Sequence, residues 1–153
     1  MAEYTNLETI KYMLNEVHRV NEVLGKGRFQ MYDQESVNMF LDSIKAFSDA
    51  ELFPYQREMD EKPAHYKNQA IHIHPQFEKI FQQTKELGLI PAIFNEEDGG
   101  MQMPNTLFHA AYYVMEAANN HVTGYLGLTT GAANLIATFG SQALKDTYLP
   151  KML

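Results

Sequence analysis

The stretch His121-Val122-Thr123-Gly124-Tyr125-Leu126-Gly127-Leu128-Thr129-Thr130-Gly131-Ala132-Ala133-Asn134-Leu135-Ile136-Ala137-Thr138-Phe139 contains no formally charged residue. Across the wider span from Asp98 to Lys145, Glu116 is the only one in between. At helical spacing the stretch divides into two faces. Val122, Tyr125 or Leu126, Ala132, Ala133, Ile136 and Phe139 make an apolar packing face, while Thr123, Gly127, Thr130, Gly131, Asn134 and Thr138 make a small, polar one. A helix without charge around its circumference belongs inside something. Asn119, Asn120, Asn134 and the interspersed Thr and Gly rule out a bilayer as that surrounding. Two nearly charge-free helices are hard to cover in a small domain, so part of this surface is expected to meet another domain, a subunit or a large ligand.

Outward from that stretch the chain reads as helix after helix, with no segment of sustained period-two alternation that would mark a strand. Ile10, Met13, Leu14, Val17, Val20 and Leu24 predict a first helix over Leu7–Leu24, stopped at Gly25. Asp33 is placed to cap a second helix carrying Val37, Phe40, Leu41, Ile44, Phe47 and Leu52, which Pro54 should bend or end. The polar stretch from Lys62 to His74 reads as a loop. Pro75 opens a third helix with Phe77, Ile80, Phe81 and Leu87 inward, ended by Gly88. An ordered loop over Leu89–Pro104 follows. Asn105 is expected to cap a fourth helix with Phe108, Ala111, Tyr112 and Met115 on its inner face. Asn119-Asn120 interrupts the pattern before the fifth helix, which runs to Gly140. Ser141 caps a short last helix expected to stop before Pro150. The reading is all-α, a bundle of about five to six helices.

Composition narrows the function. A net charge of −7 argues against nucleic acid or an anionic membrane as the main partner. No cysteine is present, which excludes disulfides, thiol catalysis and thiolate metal sites and fits a cytoplasmic protein. The N-terminus lacks the basic-then-apolar pattern of a secretory signal, and no run is apolar enough to form an integral membrane segment. His72 and His74 form a His-x-His pair, but no Glu-x-x-His pairs accompany it, so no metal site is expected. Glu96-Glu97-Asp98 reads as a solvated cluster, and Gly99-Gly100 as a turn instead of a phosphate cradle.

The glycines of the fifth helix need a reason, since each costs about 1 kcal/mol relative to alanine inside a helix. One reason is close approach of a neighbouring helix at Gly127 and Gly131, four residues apart. The other is a cavity wall, in which small side chains leave volume for a ligand and Thr or Asn supplies hydrogen bonds. The sequence leaves both open.

Four segments in order resemble the N-terminal helical domain of the acyl-CoA dehydrogenase family. They are Phe53-Pro54-Tyr55-Gln56-Arg57-Glu58-Met59-Asp60-Glu61; Leu87-Gly88-Leu89-Ile90 leading to Asn95-Glu96-Glu97-Asp98-Gly99-Gly100; Met115-Glu116; and Phe139-Gly140-Ser141 through Lys145, Tyr148, Leu149, Pro150 and Leu153. Asp98 stands where the family commonly has an aromatic, Asn95 where it has proline and Gln102 where it has glycine. The resemblance covers Gln34 to Leu153. It leaves residues 1–33 as an extra N-terminal helical segment, similar to that of the longer bacterial members.

The resemblance implies a complete enzyme with a β domain and a C-terminal helical domain in addition to this one. Such an enzyme uses FAD to dehydrogenate an acyl-CoA thioester between its α and β carbons, hands electrons to an acceptor protein and forms a homo-oligomer. The fifth helix would wall the acyl pocket, and by position that role falls on Thr123, Gly124, Gly127 and Gly131. Medium-chain relatives tend to carry larger or charged groups near Gly127, so the small residues here imply room for a long or bulky acyl group. No catalytic residue is expected in this chain, which alone should be inactive and should not retain flavin. Glu116 is expected to make a structural hydrogen bond. The alternative reading is a free-standing helical module that binds a partner protein or a ligand without catalysis.

Overall fold

The computed structural model describes residues 4–153, and among these the architecture is all-α apart from one small hairpin. Helix α1 (Leu7–Tyr12) starts at Asn6, whose side chain accepts the Thr9 N–H at 3.1 Å. It continues through one wide π-type turn, Met13–Val17, and then stops. The continuous helix to Leu24 is therefore not formed. Met13 and Val17 face solvent, and a left-handed Arg19 (φ 50°) redirects the chain so that Val20 enters the core beside Leu14. Gly25, at φ 70°, closes the following loop by donating its N–H to the carbonyls of Phe29 and Tyr32.

Helix α2 (Gln34–Phe47) begins with the expected cap. Asp33 accepts the Ser36 N–H at 2.7 Å, and Ser36 Oγ accepts the Asp33 N–H at 2.9 Å. Val37, Leu41, Ile44 and Phe47 form its buried stripe. Near Pro54 the helix does not end. It passes through a π-type turn (Ser48–Leu52) and a 3-10 turn (Phe53–Tyr55) into α3 (Gln56–Glu61). The N-terminal segment packs across this irregularity. Tyr4 stacks on Phe53 with ring centroids 5.0 Å apart, and the buried Lys45 ammonium sits 4.6 Å from the Tyr4 ring while pairing with Asp49 at 2.7 Å.

The stretch read as a loop holds an antiparallel hairpin of β1 (His65–Lys67) and β2 (Ala70–His72), paired His65 to His72 and Tyr66 to Ile71. Asn68 and Gln69 both adopt positive φ, the geometry of a two-residue primed turn. Strands of three residues are too short to show as alternation, which is why the sequence concealed them. Helix α4 (Gln76–Glu86) buries Phe77, Ile80 and Thr84, and Gly88 (φ 65°) turns the chain away.

Helix α5 (Asn105–Ala118) is not capped by Asn105. The cap position is Pro104, extended at ψ 128°, whose carbonyl accepts the N–H groups of Leu107 and Phe108. Helix α6 (Asn120–Phe139) follows after a single residue, so Asn119 is a joint between helices and not a longer interruption. The Asn119 side chain is buried. Its oxygen accepts the His121 N–H at 3.1 Å, and its Nδ2 donates to the Leu52 carbonyl at 3.0 Å and contacts Met59 Sδ at 3.2 Å. Helix α7 (Gln142–Met152) is capped by Ser141 and packs back on α6. It runs through Pro150, contrary to expectation. A proline in the last turn costs one ladder bond there, and Leu153 N–H still reaches the Leu149 carbonyl.

Asn119→Ala strips a buried carbonyl of its side-chain donor and α6 of its cap, so it should cost about 2 kcal/mol in urea unfolding. Hydrogen bonding, chiefly from the Ser36 N–H, holds the Asp33 carboxyl below its usual range. Because the folded value is the lower one, the cap stabilises at neutral pH and fades as pH falls through the carboxylate range. The urea midpoint of Asp33→Ala should lie below wild type at pH 7, and the gap should narrow at about pH 3.

Candidate functional site: a cleft between helix α6 and the 93–98 loop

The loop between α4 and α5 is rigid because its backbone bonds to itself. Gly100 N–H donates to the Asn95 carbonyl, Met101 to Pro91, Gln102 to Phe94 and Met103 to Ala92. Leu89, Ile90, Ala92, Phe94 and Met103 are buried beneath it. Gly99 takes φ 85°, and a Cβ on Gly100 would strike the Phe94 carbonyl. The pair is thus a turn, as read, and its N–H groups are not available to a phosphate.

This loop faces α6 across a cleft of about 790 Å³. Ile93, Phe94, Asn95 and Asp98 form one wall. Gly127, Thr130, Gly131, Asn134 and Thr138 form the other, with Phe108 and Tyr112 of α5 as the floor. Because α5 and α6 are consecutive helices meeting at Asn119, Tyr112 and Gly127 mark the end of the cleft nearer the joint. Asn105, Asn134 and Thr138 lie toward the far end, and Arg28 of the N-terminal segment also joins the lining.

The four residues singled out from sequence separate. Gly127 and Gly131 line the cleft, whereas Thr123 and Gly124 do not. Thr123 is fully buried, and its hydroxyl donates to the Glu116 carboxylate, which gives Glu116 its structural hydrogen bond. Gly124 is exposed on another face with open space around it. The two cleft glycines also differ in kind. At Gly127 a Cβ would strike the Tyr112 hydroxyl, which donates to the Thr123 carbonyl, whereas a methyl on Gly131 would find nothing within 4 Å. Close packing explains the first and open cleft the second. Burial, with the Glu116 charge adding to it, pushes the Tyr112 phenol above its ordinary pKa, so it remains a neutral donor.

The packing face expected of α6 is likewise only partly inward. Val122, Leu126 and Ala133 are buried, but Ala132 and Phe139 are exposed, as are Leu128 and Leu135. The residues that sequence reasoning missed are Arg28, Asn105 and His109. The spacing of Asn105 and His109, four apart on α5, was the available signal; nothing local marked Arg28.

His72 and His74 do not share a site. His72 stacks on His65 at 5.3 Å, while His74 turns inward, accepting the Gln76 N–H and lying 3.6 Å from Glu58. Among the described residues no group of three potential ligands is close enough to hold a metal ion, and no helix is long and apolar enough to cross a membrane.

Residues 34–153 match the family model described as acyl-CoA dehydrogenase, N-terminal domain. No curated protein matches the chain.

The contrast between the two glycines is measurable by urea denaturation. Gly131→Ala should raise stability by about 0.5–1 kcal/mol, because the methyl meets no neighbour and the helix gains propensity. Gly127→Ala should lower it by about 1–3 kcal/mol, because the Tyr112 ring must shift.

Proposed function

The chain belongs to the acyl-CoA dehydrogenase family, as its N-terminal domain, and from that premise we propose that the cleft is one wall of the pocket for the acyl thioester. The observation that carries this reading is the open face at Gly131. A helical glycine with no protein neighbour on the wall of a cleft is otherwise an uncompensated cost, and a ligand chain lying there accounts for it. In the complete enzyme the acyl group would lie over Phe108 and Tyr112 against the α6 wall, with room for a long or branched chain. The small groups of α6 bound its width and the rigid 93–98 loop closes its other side.

The reaction class of the family is removal of an α-proton and a β-hydride from an acyl-CoA, with FAD as hydride acceptor. The cleft does not fit the flavin. The N–H groups of Phe94, Asp98, Gly99, Gly100, Met101, Gln102 and Met103 are already bonded within the loop, and the Asp98 carboxylate on the lining would oppose a flavin pyrophosphate. We therefore assign flavin, catalytic base and the site of the electron acceptor to the β and C-terminal helical domains of the complete protein. This chain alone is inactive on that reading, and its role is to shape and dry the acyl site. The exposed apolar residues Leu128, Leu135 and Phe139 of α6 would meet those domains or a second subunit.

The test is anaerobic titration of the protein expressed from its complete gene with acyl-CoAs of increasing length. The flavin band should bleach with substrate. Gly131→Leu should raise KM for the longest and branched chains by about tenfold while leaving short chains little changed. Identical chain-length profiles for wild type and variant would remove the cleft from the acyl pocket. A colourless protein would favour the non-catalytic helical module.

A further inference from the structure

The lining of the cleft includes polar side chains that are not bonded to one another. Arg28, Asp98, Asn105 and His109 all line it, and among the described residues none of the four makes a side-chain hydrogen bond or an ion pair. The guanidinium of Arg28 rests against the neighbouring Phe29 ring, at 5.5 Å from its centroid. Its placement is nevertheless built. The turn that carries it is closed by the bonds from Gly25 N–H to Phe29 and Tyr32. The turn is then pinned to the loop between α4 and α5 by the Tyr32 hydroxyl, which donates to the Met101 carbonyl at 2.7 Å. Burial raises the Tyr32 phenol above its ordinary pKa, which keeps that donor protonated. Arg28 precedes the matched domain, which begins at residue 34. The N-terminal segment thus supplies a guanidinium to a cleft whose lining takes no Lys or Arg from the matched domain.

We infer that Arg28 is a specificity residue that seats an oxyanion carried by the thioester, with Asn105 and His109 as neighbouring polar groups. The inference rests on the acyl-thioester reading above. Two parts of such a ligand carry that chemistry: a carboxylate at the far end of the acyl chain, or a phosphate of the CoA moiety. A guanidinium offers five donors in a planar fork suited to either. Asp98 on the same cleft opposes the anion, so it sets a sign that the test can use.

The experiment measures KM and kcat with the complete protein in two arms. One compares an acyl-CoA with the ω-carboxyacyl-CoA of equal length. The other compares the acyl-CoA with the acyl-pantetheine thioester, which lacks the phosphates. Wild type should favour the anionic member of one arm by about fivefold, the scale of an exposed ion pair, and less at high salt. Arg28→Gln should erase that preference through KM with kcat unchanged, and Arg28→Lys should retain part of it. Tyr32→Phe, which frees the turn without removing charge, should weaken it. Asp98→Asn should strengthen it. The arm in which the preference disappears identifies the source of the anion. Equal KM ratios in wild type and Arg28→Gln, with flavin still bleached by thioesters, would overturn the role of Arg28 and leave the acyl-pocket reading standing. Failure of any thioester to bleach wild type would overturn both.

Discussion

The buried side chain of Asn119 is the constraint on which the arrangement of helices depends. It caps α6, and it reaches across to the Leu52 carbonyl where the π-type turn after α2 gives way to the 3-10 turn before α3. One amide therefore joins the α5–α6 corner to the irregular middle of the α2–α3 rod. A buried polar group of this kind is stabilising only when its hydrogen bonds are made, so the corner and the rod have one mutual position at low energy. Pro54 makes the irregularity and Asn119 uses it. With the corner fixed, α5 and α6 run back along each other, and the cleft lies between α6 and the 93–98 loop over the α5 floor.

Along that pair the spacing is set by the Tyr112 ring. Its hydroxyl reaches a carbonyl of α6 because Gly127 presents no side chain in its path. One turn further, the same helix carries another glycine, but there the neighbour is the cleft. Close approach accounts for Gly127, and Gly131 faces open cleft, at successive positions of one stripe. A sequence cannot distinguish them, because the difference lies in what faces each residue from another element.

The helix stripes of α2, α4 and α5 were legible because burial at these positions follows the 3.6-residue period: Leu41, Ile80 and Ala111 are all fully buried. The Asp33 and Ser141 caps were legible because capping is a local reaction of a side chain with N–H groups two or three residues on. What failed was non-local or very short. Arg19 takes a left-handed turn that no glycine announces, and the gain is Val20 in the core. The 65–72 hairpin has too few residues for a period. Thr123 was assigned to the pocket by position, yet an acceptor on the preceding helix, Glu116, turns it inward. Arg28 could not be found at all, since its proximity to the cleft is made by a tyrosine bond to Met101.

The scarcity of charge between Asp98 and Lys145 has more than one cause. In α5 it is ordinary burial: Leu107, Phe108, Ala111, Val114, Met115 and Ala118 are all inside. On one side of α6 it reflects the cleft, where Gly131, Asn134 and Thr138 remain exposed without being apolar. On another side it leaves Leu128, Leu135 and Phe139 at 78%, 62% and 80% exposure, recurring at i, i+7 and i+11 along the helix. Water does not favour such a row, whereas a charged residue there would cost little in an isolated domain. The absence of charge on that face therefore does not come from burial within this domain. Arg28 is the counterexample that supports the point. The cation brought to this charge-poor region comes from outside the matched domain, and it is delivered to the cleft instead of to the apolar row. The sequence keeps the two sides of α6 chemically separate, one small and polar along the cleft and one apolar and exposed.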